Sequence, residues 1–274
     1  MFSAASFHGL VEFSPSFAGR PQISHVVFDF DGTIAWLKHG WPDIMATLLL
    51  PYFTDRTDET FRNLRGEILA LNGKPPIFQI HRCLEMARRF SEELPEPDRL
   101  LKEYASRLGE AVQQRLARIH RGEVSPEAFL VQGTLPLLKQ LCDRDLTLII
   151  LSGTEQERVQ EEADLLGLKP YFGQHIYGST TDLVASSKQA VISRLLAEEG
   201  IAGEHLLSFG DGPVEIEVTK LAGGLAVGVA SDENVNGSGK MDPQKQQLLQ
   251  GAGADVLIAD YRDGSALLER LFGK

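Results

Sequence analysis

Asp29 and Asp31 stand two positions apart, directly after the apolar run Val26-Val27-Phe28 and directly before Gly32-Thr33. Side chains alternate along an extended chain, so both carboxylates can lean to one side at the carboxyl end of a buried strand, where open α/β sheets bind ligands. Gly32 lets the backbone turn away at once. Two carboxylates this close are both ionised only when a cation joins them; otherwise one keeps a proton. The pair therefore divides into a nucleophile held ionised by a metal and a general acid/base that carries a proton. Asp-Gly alone is ordinary turn chemistry, but the apolar run ahead of Asp-x-Asp-Gly-Thr makes the stretch specific.

Three later junctions carry groups suited to the same chemistry. Residues 146–151 read as a buried strand that ends in Ser152-Gly153-Thr154 and feeds a helix closed by Gly167. A hydroxyl and free backbone N–H groups at a helix N-terminus suit an anion, although Ser152 is equally a helix cap. Lys188 opens a helix begun by Ser186 and Ser187, where the dipole disfavours a cation unless an anion sits nearby; a lone lysine there is otherwise solvated. Residues 205–209 form another strand candidate, ending in Gly210-Asp211, with Pro213 suited to the first turn of the next helix. Asp211 can complete an oxygen cage for Mg²⁺, a hard cation that favours carboxylates.

The elements that must position these groups alternate strand and helix, except in one place. After Ile34 come four helical stretches without a strand, near 42–53, 57–71, 76–90 and 96–120; the last carries Leu100, Tyr104, Leu108, Val112, Leu116 and Ile119 at helical spacing. Ser125-Pro126 opens a further helix and alternation resumes, with strands expected at 225–230 and 254–259 and a polar, Gly-rich surface loop at 231–245. The organisation expected is an N-terminal tail over residues 1–22, loosely ordered, a core of 23–36 with 126–274, and an inserted helical module over 37–125. The fold class is α/β: a Rossmann-like parallel-sheet core with an inserted all-helical domain.

The stretch VVFDFDGTI, residues 26–34, resembles motif I of the haloacid dehalogenase superfamily, whose members mostly transfer phosphoryl groups through an aspartyl phosphate. The resemblance makes Asp29 the nucleophile and Asp31 the residue that handles the leaving group's proton. The dehalogenase branch lacks the second Asp, so its presence favours phosphoryl transfer. Ser152-Gly153 resembles motif II, which binds phosphoryl oxygens, and Lys188 resembles motif III, whose lysine binds phosphate and holds the nucleophile. Gly210-Asp211 with Glu215 is similar to motif IV, although an Asp is common where Glu215 stands; Glu217 has the wrong spacing and reads as a solvated helix residue. The metal set so implied is Asp29, Asp31 through its carbonyl, Asp211 and Glu215, with Mg²⁺ as cofactor.

The helical insertion is similar to that of the capped phosphatase subclass, the phosphoglycolate phosphatase and β-phosphoglucomutase-like branch. That resemblance implies a Mg²⁺-dependent phosphatase acting on a small phosphorylated metabolite. Trp36, His39, Lys74, Gln79, His81 and Arg82, around motif I and the Gly73-Lys-Pro-Pro76 turn, are candidates for reading the leaving group. A phosphomutase, a phosphonate hydrolase using Lys38 or Lys74 as a Schiff base, and a binding module without turnover are the alternatives on this fold.

The whole chain narrows the partners. With 27 basic and 38 acidic residues and a formal charge of −11 it is a poor match for nucleic acid, and an anionic substrate needs local cationic help. There is no apolar run long enough for a membrane span, and the start has no basic and apolar signal pattern. A cytoplasmic monomer or homodimer is expected, with Cys83 and Cys142 as reduced core thiols. Gly237-Ser-Gly-Lys240 is no P-loop, and Gly251-Ala-Gly253 is no dinucleotide fingerprint.

Overall fold

The computed structural model describes residues 3–4, 11–72, 74–90, 93–182, 184–185 and 187–273. Gly73 and Ser186, which the sequence assigns to a turn and a helix opening, lie outside the described residues. The chain divides into two compact units, Met1–Leu37 with Gly122–Lys274, and Lys38–Arg121.

The first unit is built on one sheet. Its strands are β1 (Ser3–Ala4), β2 (Val11–Phe13), β3 (His25–Phe28), β4 (Thr147–Glu155), β5 (Ile176–Ser179), β6 (Leu206–Gly210), β7 (Leu225–Val229) and β8 (Val256–Ile258). Their spatial order is β1-β2-β8-β7-β6-β3-β4-β5. From β8 to β5 every pairing is parallel. β3 lies between β6 and β4, so the chain fills one side of it, then crosses back and fills the other. A crevice at the carboxyl ends belongs beside such a reversal.

Why these segments are strands is plain from their burial. Val26 and Phe28 are inaccessible and Val27 nearly so, and the same holds along β6 and β7, as expected for strands covered on both faces. β4 runs four residues beyond the expected end at Leu151, through Ser152, Gly153 and Thr154 to Glu155. The polar residues that suggested a strand end are still extended there, and the helix begins only at Gln156.

Two segments of residues 1–22, expected as a loosely ordered tail, join the sheet, Ser3–Ala4 and Val11–Phe13. Val11-Glu12-Phe13 alternates, burying Val11 and Phe13, and pairs antiparallel with β8. An open β8 edge would present unpaired backbone groups, and this short strand covers it. Residues 231–245, expected as a surface loop, bury Ser231, Glu233 and Lys245. Ser125-Pro126 opens only a short 3-10 turn, Pro126–Phe129.

The second unit is helical: α1 (Trp41–Leu49), α2 (Asp58–Leu69), α3 (Pro76–Ala87) and α4 (Pro97–His120). Each helix gives at least one pair at i, i+4 spacing to a shared core: Met45 and Leu49, Leu64 and Ile68, Ile80 and Leu84, Leu100 and Tyr104. Starts are marked by Pro at the first turns of α1, α3 and α4, and by Thr57, whose side chain accepts from the Thr60 N–H ahead of α2.

Among the described residues of the first unit seven helices follow: α5 (Thr134–Cys142), α6 (Gln156–Leu165), α7 (Lys169–Phe172), α8 (Lys188–Glu199), α9 (Pro213–Leu221), α10 (Pro243–Gly251) and α11 (Gly264–Leu271). Cys83 is a buried thiol, with burial raising it to about 12, whereas Cys142, expected in the core, is exposed near the end of α5. No helix among the described residues is long and apolar enough to cross a membrane.

Candidate active site

The site is set by register. β3 and β6 pair rung by rung from His25 with Leu206 to Phe28 with Phe209. On the last rung the two phenyl rings stack with centroids 4.8 Å apart and planes 6° from parallel. One step further the Asp29 N–H donates to the Phe209 carbonyl at 2.9 Å, so Asp29 leaves β3 level with the end of β6. Asp211 follows immediately on β6.

Two glycines permit the approach of the carboxylates. Gly32 turns with φ +77°, and a Cβ there would lie 2.3 Å from Asp211 Oδ2. At Gly210 a Cβ would lie 2.6 Å from the Cβ of Glu215, so the first turn of α9 packs straight onto the strand end and carries Glu215 with it. The turn after Asp31 is pinned by Gly32 N–H to Ala35 O at 2.8 Å, Ile34 N–H to Phe30 O at 3.0 Å and Trp36 N–H to Phe129 O at 2.7 Å.

Lys188 arrives on α8, which packs beside α9. Ser187 caps α8, its hydroxyl accepting from the Ala190 N–H at 3.3 Å, and this fixes Lys188 as the first helical residue. Its Nζ donates to Asp29 Oδ1 at 2.5 Å and also to Glu215 Oε1. The anions that a cation at a helix start requires are thus Asp29 and Glu215. Asp29 Oδ2 accepts from the Thr33 hydroxyl at 3.5 Å, and the Thr33 carbonyl accepts from the buried Tyr261 hydroxyl at 2.9 Å.

Asp31 is held separately. Its Oδ2 accepts from the Thr154 hydroxyl at 2.9 Å, and the Thr154 N–H donates to Ser152 Oγ at 3.0 Å. Thr154 is therefore a site residue that sequence reasoning missed; it stood in the expected junction but only Ser152 and Gly153 were taken from it. Ser152 is buried and Gly153 exposed, both within β4 and ahead of α6, so the helix dipole expected behind them does not start there.

Carboxylates outnumber cations in this centre. Burial, with the Glu215 and Asp211 carboxylates adding to it and Lys188 opposing, raises Asp29 from the usual 3.8 to about 8. Burial acts to lower Lys188, but Asp29 and Glu215 reverse that and hold the ammonium charged. Tyr261 is driven well above its usual range, first by burial and then by Asp211 and Asp29, so its hydroxyl remains a neutral donor.

A second lysine stands on Asp211. Lys245 of α10 is 1% exposed, lies 2.9 Å from Asp211 Oδ2, also pairs with buried Glu233, and donates to Ser231 Oγ at 3.2 Å. The Ser231 hydroxyl donates in turn to the Gly32 carbonyl at 3.0 Å. Neither Lys245 nor Glu233 is in any motif read from the sequence.

The donor set fits a hard divalent cation in chemistry and charge. Asp29, Asp211 and Glu215 offer only oxygen, they outnumber the two ammonium groups beside them, and the buried Glu215 Oε2 has no hydrogen-bond partner among the described residues. Among the described residues no three acidic, His or Cys side chains already form a cage, because ammonium groups hold the carboxylates.

The candidate specificity residues separate. Trp36 belongs to the first unit, fixed by its backbone bond to Phe129. The His39 carbonyl accepts from Arg115 at 3.0 Å, within the helical unit. Lys74 and His81 are exposed. Arg82 is exposed too and paired with Glu67 at 2.8 Å. Gln79, expected to face a ligand, is 3% exposed and its amide donates to the Leu71 carbonyl at 3.1 Å, tying α3 to the end of α2. Its place at i−1 of Ile80 and i−4 of Cys83 puts it on the inward face, a periodicity that was available in the sequence.

The sequence profile of the haloacid dehalogenase-like hydrolases matches residues 23–223. Phosphoglycolate phosphatase of Synechococcus elongatus is 30% identical over 124 residues, 45% of this chain and 54% of the relative, so the match spans about half the relative's length. A predicted phosphoglycolate phosphatase from Haemophilus somnus superposes with a TM-score of 0.60 at 16% identity, covering 91% of this chain and 99% of the other. A hydrolase from Deinococcus radiodurans, solved with bound phosphate and sodium, gives 0.61 at 18% identity and covers 92% and 97%. At such identities the structural likeness speaks to the fold alone.

Proposed function

Since the chain belongs to the haloacid dehalogenase-like hydrolase family, we propose that it is a phosphatase that cleaves a small phosphomonoester through an aspartyl phosphate on Asp29. The observation that carries the reading is the buried Asp29 carboxylate at the end of the central strand, gripped by Lys188 and facing Asp211 and Glu215. Burial makes the carboxylate a stronger base, and the lysine keeps it aimed.

The steps follow from this chain's groups. An Asp29 oxygen bonds to phosphorus as the bond from phosphorus to the leaving oxygen breaks. Asp31, aimed by Thr154, gives its proton to that oxygen. Asp31 then takes a proton from water as the water oxygen bonds to phosphorus and the bond from phosphorus to Asp29 breaks, which restores both carboxyl groups. Lys188 offsets the charge that gathers on the transferring oxygens, and Ser152 with the exposed Gly153 backbone is assigned to those oxygens as well. Mg²⁺, held by Asp29, Asp211, Glu215 and the Asp31 carbonyl, would lower the repulsion between an anionic ester and an anionic nucleophile. Choice of leaving group is assigned to the helical unit, with exposed Lys74, His81 and Arg82 as its candidates and Gln79 withdrawn from that role.

The test is phosphate release from a panel of sugar, nucleotide and small-acid phosphates, with and without Mg²⁺. Release that needs Mg²⁺ and disappears in Asp29→Asn supports the reading; absence of release from every ester in the panel sinks it. A finer prediction concerns Thr154. Thr154→Val keeps the volume but removes the hydroxyl that aims Asp31, and kcat is expected to fall roughly tenfold, about 1.4 kcal/mol. Steady-state kinetics check it, since a change confined to KM would place Thr154 in ground-state binding instead.

A further inference from the structure

Glu233 and Lys245 flank a stretch that reads as polar surface, yet both are almost wholly buried at Asp211. A buried lysine requires an anion, and here it has two of different kinds. Glu233 accompanies it into the interior as a fixed counter-ion. Asp211 belongs to the carboxylate group described above and would otherwise turn its charge toward Asp29. The segment is anchored by Ser231 on the Gly32 carbonyl and by Asp242, which caps α10 by accepting from the Gln244 and Lys245 N–H groups at 2.9 and 3.1 Å. The ammonium is thus delivered by a rigid helix start to one oxygen, Asp211 Oδ2.

We infer that Lys245, carried by Glu233, is a displaceable internal counter-ion that competes with a divalent cation for Asp211 and so lowers the affinity of the site for that cation. The inference rests on the metal-assisted reading above. With the ammonium on Asp211, the charge of that carboxylate is balanced while no cation is bound. When a cation arrives, the ammonium must swing back onto Glu233, which is already in contact. Glu233 therefore acts as the parking place that makes the exchange possible without leaving a buried charge alone.

Competition is separable from the background field by charge. Lys245→Met adds one net negative charge and Glu233→Gln removes one, so simple field effects tighten Mg²⁺ binding in the first and weaken it in the second. The double variant Lys245→Met/Glu233→Gln conserves net charge and lacks the competitor. Calorimetric titration of the full-length protein with Mg²⁺ alone is expected to give a Kd at least about tenfold lower for the double variant than for the wild type. An equal or weaker affinity would overturn the inference, since Lys245 would then be only a structural partner of Asp211. Absence of binding by either protein would overturn it together with the metal-assisted reading, so the two failures are distinguishable. Should the double variant not fold, Mg²⁺ titration of wild-type protein with ¹⁵N-labelled lysine side chains decides: competition requires the Lys245 Nζ signal, identified by its loss in Lys245→Met, to move with Mg²⁺ saturation, and an unmoved signal refutes it.

Discussion

Asp29→Asn is expected to reduce phosphate release by a factor on the order of 10³ or more, and at the same time to raise the melting temperature of the metal-free protein. The two effects have one origin. An amide cannot form the aspartyl phosphate, so the route through residue 29 closes. The same amide removes a carboxylate that burial, with Glu215 and Asp211, holds at about 8 against an ordinary 3.8. A carboxyl whose folded value is raised binds its proton more tightly in the folded state, so its contribution is greatest at low pH. Stability is lost as pH climbs from about 4 to about 8. Asn has no such titration, and Lys188 keeps Glu215 as its partner in the variant. The gain at pH 8 is expected to be at least about 1 kcal/mol, or roughly 2–4 °C for a chain of this size. Melting curves of both proteins across that range check it: the gap should widen with pH and narrow when Mg²⁺ is added. A variant that melts lower at every pH would show that Lys188 depends on the Asp29 charge more than burial opposes it.

Lys188→Met is expected to be costly for the fold as well as for turnover. Among the described residues its ammonium pairs with both Asp29 and Glu215, and all three side chains are little exposed. Removing one partner from a buried ionic group leaves its neighbours facing each other and typically costs about 3–5 kcal/mol. Against a total stability of about 5–15 kcal/mol, the variant should unfold at markedly lower urea. Turnover should fall by about 10² or more, because the charge that would meet the transferring oxygens is gone. Lys188→Met/Glu215→Gln separates the effects: urea denaturation should show stability largely regained, whereas phosphate release should stay low. If the single variant denatures like wild type, the three charges are better solvated than their burial implies.

Much of the frame was legible because it obeys local rules. The runs ending at Phe28 and Phe209 are mostly apolar, are buried on both faces and terminate in acid and glycine, and their pairing sets Asp29 level with the end of β6, just ahead of Asp211. Lys188 carried its own clue, a cation where the helix dipole disfavours one. What stayed hidden depended on compensation between distant residues. Lys245, Glu233 and Ser231 look solvated by composition, and only their mutual pairing makes burial tolerable. Thr154 was passed over because Ser152-Gly153 resembled the end of a strand, whereas β4 continues and turns Thr154 toward Asp31. β5 and β2 are too short for their periodicity to stand out, and β2 is tied to the parallel strands by its pairing with β8.

That edge pairing also bears on how the sheet is completed. Val11–Phe13 joins the parallel part of the sheet through a strand that lies almost at the far end of the sequence, while β3 meets β4 and β6 across shorter stretches of chain. Closing so long a loop is rewarded late, after the parallel interior exists to receive it. During assembly the β8 margin is therefore bare for a time, and a neighbouring chain could dock there in place of the molecule's own segment. The three-residue strand is a last seam in the sheet, and the speed with which it closes sets how long the unfinished molecule is open to others of its kind.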